Sequence, residues 1–443
     1  MNVRTRWSAA AAAALLAAPA LADDKDERID KLERETTELR KELAELKAAK
    51  AKEGAPDDKA VREAVDDYLA RSSATERSYM GAGGVWRPSG NLVLGGYFST
   101  RYVASEEPDA VPSFSDMRLV PQVHAEITKK IAFDAEVEFE HGGISDEIDG
   151  EIAVEFAELS FRQSDQFKFK VGTLLVPFGA FNQTHDDPLN ELSSRPTVAR
   201  FVVPSAFGSP GIGAMGAFDL TKDDALTYDV VLVNGLKDEF NGDEGSRAAR
   251  GLYESDDNHD KTVFGRVAVV PTLSFLDALQ VGVSGAYGAV GPQSDTLTGY
   301  GFDASAKHGP WEFKGEYDKF GIDRPSGSPP PIDAAGNLGP VRGLHGWYGQ
   351  LLYRFTSAWV RSFPFAEKDA SLALVLRRDD VDLNDRVHGA GEFDDERAWS
   401  FGVTYRPTSK TAVKLEYRRA TSGAQGDLGE QRDLFAVEFA TYF

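Results

Sequence analysis

Residues 171–216 read VGTLLVPFGAFNQTHDDPLNELSSRPTVARFVVPSAFGSPGIGAMG, and this stretch decides how the rest of the chain is interpreted. It begins as an alternating strand, loses its periodicity at Pro177 and restarts as a glycine-rich strand at Gly211. Loops of this length in ordered domains are usually functional or disordered, and an apolar composition disfavours disorder. The apolar residues that need a packing surface are Phe178, Phe181, Leu189, Leu192, Val198, Phe201, Val202, Val203 and Phe207. We therefore predict that residues 177–210 form a loop that folds inward, packs on the inside of a β-barrel and narrows its channel.

From residue 91 onward the apolar and polar residues alternate with a period of two, which indicates strands. Long runs that are apolar on one face and charged on the other suit a lipid-facing exterior and a water-filled lumen. Sixteen such runs begin near residues 91, 116, 131, 153, 166, 211, 226, 262, 278, 298, 310, 345, 369, 397, 410 and 431. The sequence therefore predicts an all-β fold, a 16-stranded antiparallel transmembrane β-barrel with short turns at one end and long loops at the other. The connection 357–368 is longer than the expected turn, which leaves one strand boundary open.

Charged residues on the inward faces of these strands form the predicted pore lining. The candidates are Arg101, Arg118, His124, Glu126, Lys168, Lys170, Lys314, Arg377, Lys414 and Arg418. Other acids, including Glu136, Glu138 and Glu416, share the inward faces with them. A lumen lined by both signs of charge would admit ions and small polar solutes.

Composition restricts the cellular location and the partners of the protein. The 443 residues carry a formal net charge of -22, which argues against nucleic acid because phosphate binding needs a basic face. Residues 1–22 are typical of a signal peptide, with Arg4 and Arg6 before an apolar core and Ala20-Leu21-Ala22 as the cleavage site. The chain has no cysteine, and after residue 22 no apolar run is long enough for a membrane helix. We expect a location in the bacterial cell outer membrane, in contact with its lipid and lipopolysaccharide.

The segment 23–50 has a heptad pattern that predicts a coiled-coil rod. Position a holds Ile29, Thr36 and Leu43, and position d holds Leu32, Leu39 and Leu46. Charges at the flanking positions would pair between parallel chains. A solvated single helix is the alternative. A short helix and linker (51–90) follow, and the barrel domain spans 91–443.

The last predicted strand carries large apolar residues at every second position and ends on an aromatic residue. Its Phe439 and Phe443 resemble the assembly signal of bacterial outer-membrane barrels. We expect these two side chains to matter for assembly rather than for permeation.

Three segments together resemble the phosphate-selective porin O and P family of trimeric sixteen-stranded channels. They are VGTLLVPFGAFN (171–182), HDDPLNELSSRPTVARFVVPSAFGSPGIGAMG (185–216) and FAVEFATYF (435–443). The resemblance covers 91–443 and implies a passive, homotrimeric channel whose third external loop folds into the pore. Family members that select phosphate are similar to one another in a ladder of inward arginines. Here acids interrupt the inward basic residues, so preference for anions such as phosphate stays open.

The loop itself carries the candidate constriction residues: His185, Asp186, Asp187, Glu191, Arg195 and Arg200. Acidic and basic groups facing each other across a narrow opening would create a transverse field that favours small polar solutes. The alternative is that these groups pair with one another or with the barrel wall and simply hold the loop in place.

Other motifs support neither an enzyme nor a cofactor or metal site. Gly211-x-Gly213-x-x-Gly216 opens a strand rather than following one into a helix, so it does not predict a nucleotide site. Asp380, Asp382 and Asn384 resemble the start of a calcium loop, but Asp385 occupies the position of the required glycine. The histidines have no serine and acid at catalytic spacing. A competing hypothesis is a structural barrel that anchors the envelope, with its rod reaching toward peptidoglycan.

Overall fold

A computed structural model describes residues 86–89, 91–105, 111–141, 150–251, 256, 258–324, 339–385, 387, 394–422 and 430–443. The predicted signal peptide (1–22), the rod (23–50) and most of the short helix and linker (51–90) lie outside the described residues. Within the described part, no helix is long and apolar enough to cross a membrane.

The described residues form seventeen strands in a single sheet. Their bounds are β1 Trp86–Ser89, β2 Leu92–Ser105, β3 Ser113–Thr128, β4 Ile131–Glu140, β5 Glu151–Ser164, β6 Phe167–Leu175, β7 Gly208–Asp219, β8 Ala225–Val233, β9 Thr262–Val270, β10 Ala278–Val290, β11 Asp295–His308, β12 Trp311–Asp323, β13 Gly343–Phe355, β14 Ser371–Asp382, β15 Arg397–Thr408, β16 Thr411–Ser422 and β17 Glu430–Tyr442. Strand β1 falls in the predicted linker, where it pairs with the start of β2.

Strands β2–β17 close into a sixteen-stranded antiparallel barrel. Each strand pairs with its sequence neighbours, and β17 pairs with β2 from Leu434↔Ser105 to Tyr442↔Tyr97. The predicted sixteen-stranded antiparallel β-barrel is confirmed, and no predicted strand start differs from the observed one by more than three residues. The connection between β13 and β14 is long because it contains a short 3-10 helix, Val360–Ser362. Its length therefore does not reflect a misplaced strand boundary.

The period of two sorts the side chains between the two faces of the barrel. On β15, Trp399 and Phe401 are 44% and 52% exposed on the outer face, whereas Ser400 between them and Thr404 further along are fully buried. Phe439 and Phe443 point outward in the same way at 48% and 46%. An apolar outer face over inward polar residues is the arrangement of a barrel that faces lipid.

Glycine at position 96 is required where β2 runs close to β3. Its φ is +146°, and a Cβ there would lie 2.2 Å from the carbonyl oxygen of Val120. We expect Gly96→Ala to cost about 1–3 kcal/mol through backbone strain and steric overlap and to lower the yield of folded, heat-modifiable barrel. The matched control is Gly285→Ala in β10, where a Cβ would meet no heavy atom within 4 Å. Equal folded yields for the two variants would show that the close approach of β2 to β3 does not require glycine at position 96.

Candidate pore constriction

The segment between β6 and β7 lies inside the barrel. It contains two 3-10 helices, Phe181–Gln183 and Asp187–Leu189, and one short helix, α1 Val198–Phe201. Its apolar side chains share one buried cluster with inward residues of the wall. Phe178 packs against Phe320 with ring centroids 4.8 Å apart and against Phe264 at 6.1 Å. Aromatic packing thus fixes one side of the loop on β9 and β12.

The backbone of the loop is also hydrogen-bonded to the wall at its start. The N–H groups of Ala180 and Phe181 donate to Oε2 of Glu316 on β12, at 2.8 and 2.9 Å. The N–H of Gly179 donates to the hydroxyl of Ser284 on β10 at 3.0 Å. These bonds satisfy backbone groups that a loop buried in the lumen has removed from water.

His185 lies on the wall side of the loop and is 2% exposed. Its Nδ1 is 2.8 Å from the carbonyl oxygen of Asn182, and its Nε2 is 2.8 Å from Oε2 of Glu155 on β5. Burial disfavours the imidazolium and would lower the pKa of His185. The attraction of the Glu155 carboxylate is larger than this effect and raises the pKa of His185 to about 9. The surroundings of His185 therefore favour positive charge at this point.

The two aspartates that follow are buried against β2, β3 and β17. The hydroxyl of Tyr442 donates to Asp186 at 2.9 Å, and the hydroxyl of Ser99 donates to Asp187 at 2.6 Å. Burial would raise the pKa of Asp187, but the guanidinium groups of Arg118 and Arg195 lower it well below its usual range. Asp187 is therefore an anion with fixed partners rather than a group that faces a permeating solute.

Glu191 joins the loop to β13 and β15. It lies 2.7 Å from Nη2 of Arg354 and 3.1 Å from Nη2 of Arg406. Burial again opposes ionisation, but these two arginines lower the pKa of Glu191 to about 2. For His185, Asp186, Asp187 and Glu191, the structure thus fits the alternative in which the charges hold the loop on the wall.

The two arginines of the loop are placed differently from the acids. Arg195 donates to the hydroxyl of Ser205 at 3.0 Å and faces a cavity of about 250 Å³ between the loop and β3–β5. Arg200 is exposed to the lumen. The protein that surrounds it and the nearby cations Arg101 and Arg418 lower the pKa of Arg200 to about 10, so it stays charged at neutral pH.

The cavity beside Arg195 has charges of opposite sign on its two sides. The acids come from the barrel wall: Glu138, Glu140, Glu151 and Glu155. Arg247 and Arg250 join Arg195 from the connection between β8 and β9, and Arg118 adds a basic group from β3. Arginines of two loops and glutamates of the wall thus line one cavity, where Arg118 also pairs with Glu138 at 3.1 Å.

The predicted pore-lining residues differ in how far they reach into water. Lys170, Arg377 and Lys414 are at most 1% exposed, and each is paired: with Asp229 at 2.7 Å, with Asp379 at 2.8 Å and with Glu438 at 2.7 Å. Glu126 is exposed, and the others are partly buried: Arg101, Arg118, His124, Lys168, Lys314 and Arg418. Lys314, Gln350, Arg377, Ser400 and Arg418 lie in one cross-strand row on β12–β16.

Several residues that build the site were missed at the sequence level. The alternation of β4 carries a signal for Glu140, which follows the predicted inward acids Glu136 and Glu138 at the same spacing. Arg247 and Arg250 lie in an unpatterned connection that gives no such signal. Arg354 and Arg406 lie at the ends of inward faces, and only the fold brings them to Glu191.

Comparison with known proteins supports the architecture. OmpF of Salmonella typhi, solved in complex with daunomycin, matches with a TM-score of 0.52 at 12% identity over 81% of this chain and 100% of that one. OprB of Pseudomonas putida matches with a TM-score of 0.50 at 9% identity over 80% and 94%. An anion-selective porin of Comamonas acidovorans gives 0.47 at 12% identity over 80% and 99%. The first two of these likenesses show a barrel fold of the kind that bacterial porins have.

Comparison of the sequence alone is less informative than comparison of the structure. An uncharacterized protein of Aquifex aeolicus is 27% identical over 352 residues, which is 76% of this chain and 77% of that protein. No protein-family model matches the chain.

The ion pairs of Glu191 predict how stability changes with pH. Its folded-state pKa of about 2 lies below the ordinary value of 4.5, so its ionised form stabilises the fold above pH 4.5 and this contribution is lost as the pH falls toward 2. The difference corresponds to roughly 3 kcal/mol. We expect Glu191→Gln to lower the thermal unfolding midpoint, measured by circular dichroism, most strongly above pH 4.5. The deficit should shrink near pH 2, and exposed Glu126→Gln should show no deficit at either pH. A deficit independent of pH would contradict the assigned pairing.

Proposed function

We propose that this protein is a porin of the bacterial outer membrane, a water-filled channel for passive diffusion of ions and small polar solutes. The observation that carries the proposal is the loop between β6 and β7, which lies inside the barrel and turns arginines toward the wall glutamates. The apolar exterior of the strands suits lipid, and the inward charges suit water. The long loops would then contact lipopolysaccharide.

The arrangement of charge favours solutes that carry both signs or a strong dipole. Arg195, Arg247 and Arg250 line one side of the cavity, and Glu138, Glu140 and Glu151 line the other. Low-dielectric walls weaken the screening of such charges, so the field across the opening is strong where the passage is narrow. A polar solute is oriented by this field, whereas an apolar solute gains nothing from it.

Preference for anions such as phosphate is a second candidate, and the grouping of Arg195, Arg247 and Arg250 favours it. Guanidinium groups form paired hydrogen bonds with phosphate oxygens. The glutamates that line the same cavity repel anions, so we propose that any preference for phosphate over other anions is weak. Reversal potentials in chloride and phosphate salts would separate the two candidates.

The direct test is the conductance of purified protein in planar lipid bilayers. An open channel gives discrete conductance steps and swelling of liposomes in isotonic solutions of small sugars. A structural barrel that only anchors the envelope gives neither. Absence of both signals from protein that is folded by its heat-modifiable mobility would refute the proposal.

The two loop arginines predict a change in ion selectivity. We expect the double change Arg195→Ala and Arg200→Ala to shift the reversal potential toward cations, because the wall glutamates are then less opposed. The shift should fall with salt as the screening length drops from about 10 Å at 0.1 M to about 3 Å at 1 M. Arg162→Ala, at the exposed end of β5, is the matched control. An unchanged reversal potential in the double variant would remove these arginines from the permeation path.

We propose further that the chain forms a homotrimer and that the rod at 23–50 holds the subunits together. The d-position leucines, Leu32, Leu39 and Leu46, supply most of its apolar surface, each about 1.5–3 kcal/mol if fully buried. Changing all three to Ser should lower the temperature at which the oligomer dissociates on a native gel and leave the barrel folded. Dissociation at the original temperature would favour a single helix, with peptidoglycan contact as one remaining role.

A further inference from the structure

Three buried side chains from separate parts of the chain converge behind the loop. Glu136 comes from β4, Glu155 from β5 and His185 from the loop, and they are 1%, 2% and 2% exposed. One nitrogen or oxygen of each lies within 4.8 Å of the others. The cluster lies behind the loop, on the wall side, and Glu155 is its only member that also lines the cavity beside Arg195.

The hydrogen bond at Nδ1 fixes the orientation of the His185 ring. A carbonyl oxygen can only accept, so Nδ1, 2.8 Å from the oxygen of Asn182, carries the hydrogen. Nε2 is then directed at the carboxylate of Glu155, 2.8 Å away. Metal-ligating histidines usually donate the N–H of the other ring nitrogen to a carboxylate, a backbone carbonyl or water, as Nδ1 of His185 does here.

Two carboxylate oxygens in this cluster have no donor within the described part of the chain. They are Oε1 of Glu136 and Oε1 of Glu155. The second oxygen of Glu136 accepts from Gln122 at 2.7 Å. A third carboxylate, Asp186, has its Oδ1 4.0 Å from Nε2 of His185. Buried carboxylates without donors are costly unless a cation compensates them.

We propose that Glu136, Glu155 and His185 bind one divalent metal ion, with Zn²⁺ the best match to the donor set. One imidazole nitrogen and two carboxylate oxygens are common ligands of zinc, and Asp186 or water would supply the fourth position. Zn–N and Zn–O bonds of about 2.0–2.2 Å would move Nε2 of His185 and Oε2 of Glu155 apart by roughly half an ångström. The metal ion would join the loop to β4 and β5 on the side of the lumen that aromatic packing does not cover.

The site follows from the fold rather than from a sequence motif. Glu136 and Glu155 become neighbours because β4 and β5 pair, with Glu136 opposite Phe156 where the register shifts. His185 joins them only because the loop turns back into the barrel. A metal ion that binds the folded state alone raises the free energy of unfolding in proportion to the logarithm of its concentration.

The test uses the full chain without a histidine tag, refolded into detergent so that lipopolysaccharide is absent. After EDTA treatment and reloading with Zn²⁺, desalted protein should retain one zinc per chain, and its thermal unfolding midpoint should rise with zinc concentration. His185→Gln and Glu136→Gln should each lose the retained zinc and the zinc-dependent rise. The loss should exceed the ~10–100-fold in affinity that removal of a ligand's hydrogen-bond partner costs.

His124→Gln is the matched control, because His124 is another lumen histidine but pairs with a single carboxylate, Asp134, at 2.6 Å. It should retain zinc as the wild type does. Wild-type protein that retains no zinc after reloading would overturn the proposal and favour a proton shared between Glu136 and Glu155. Zinc retained by both site variants would also overturn it.

A measurement on the wild type covers the case in which a site variant fails to fold. X-ray absorption of the zinc-loaded protein should show one imidazole nitrogen and two or more oxygens at about 2.0–2.2 Å. A shell of oxygen alone would place the ion on the acidic external loops and refute the site.

Discussion

Closure of the sheet between β17 and β2 is the constraint on which the rest of the structure depends. An open sheet leaves a row of unpaired N–H and C=O groups along each edge, and lipid offers these groups no partner. Pairing β17 with β2 removes both edges at once. Closure also fixes the inner face as a surface that must be hydrated or filled. The charged inward positions and the loop between β6 and β7 both follow from that requirement.

The loop fills the lumen by two different physical means. On the side of β9 and β12, the rings of Phe178, Phe264 and Phe320 pack together, and the free energy comes from apolar burial. On the side of β13 and β15, Glu191 meets two arginines, and the stabilisation depends on ionised partners. The first contribution is nearly independent of pH and salt, whereas the second is sensitive to acid. The loop is thereby fixed on the wall by both apolar and ionic contacts, and a cavity lined by charged side chains remains between it and β3–β5.

Charges that are anchored and charges that face water have separate roles here. His185, Asp186 and Asp187 are buried with fixed partners, so they position the loop and contribute little to the field in the passage. Arg195 and the wall glutamates border the cavity, and in the proposed channel they would set that field. The proposed metal ion belongs to the first group, because it would add a further link between the loop and the wall without facing the solute.

The sequence alone determined the strand count, the strand starts and which side chains face outward. These features are local, because a period of two within about ten residues specifies both the strand and its apolar face. It also indicated that residues 177–210 need an apolar surface to pack on, since the large apolar rings of Phe178 and Phe207 are unfavourable when exposed to water. Only the tertiary structure decided which charges of that loop face the passage and which face the wall. Asp186 pairs with Tyr442 across 256 positions of sequence, and Arg406 meets Glu191 across 215. Such partners are neighbours only after the barrel closes, so no local pattern distinguishes an anchoring carboxylate from one that a solute would meet.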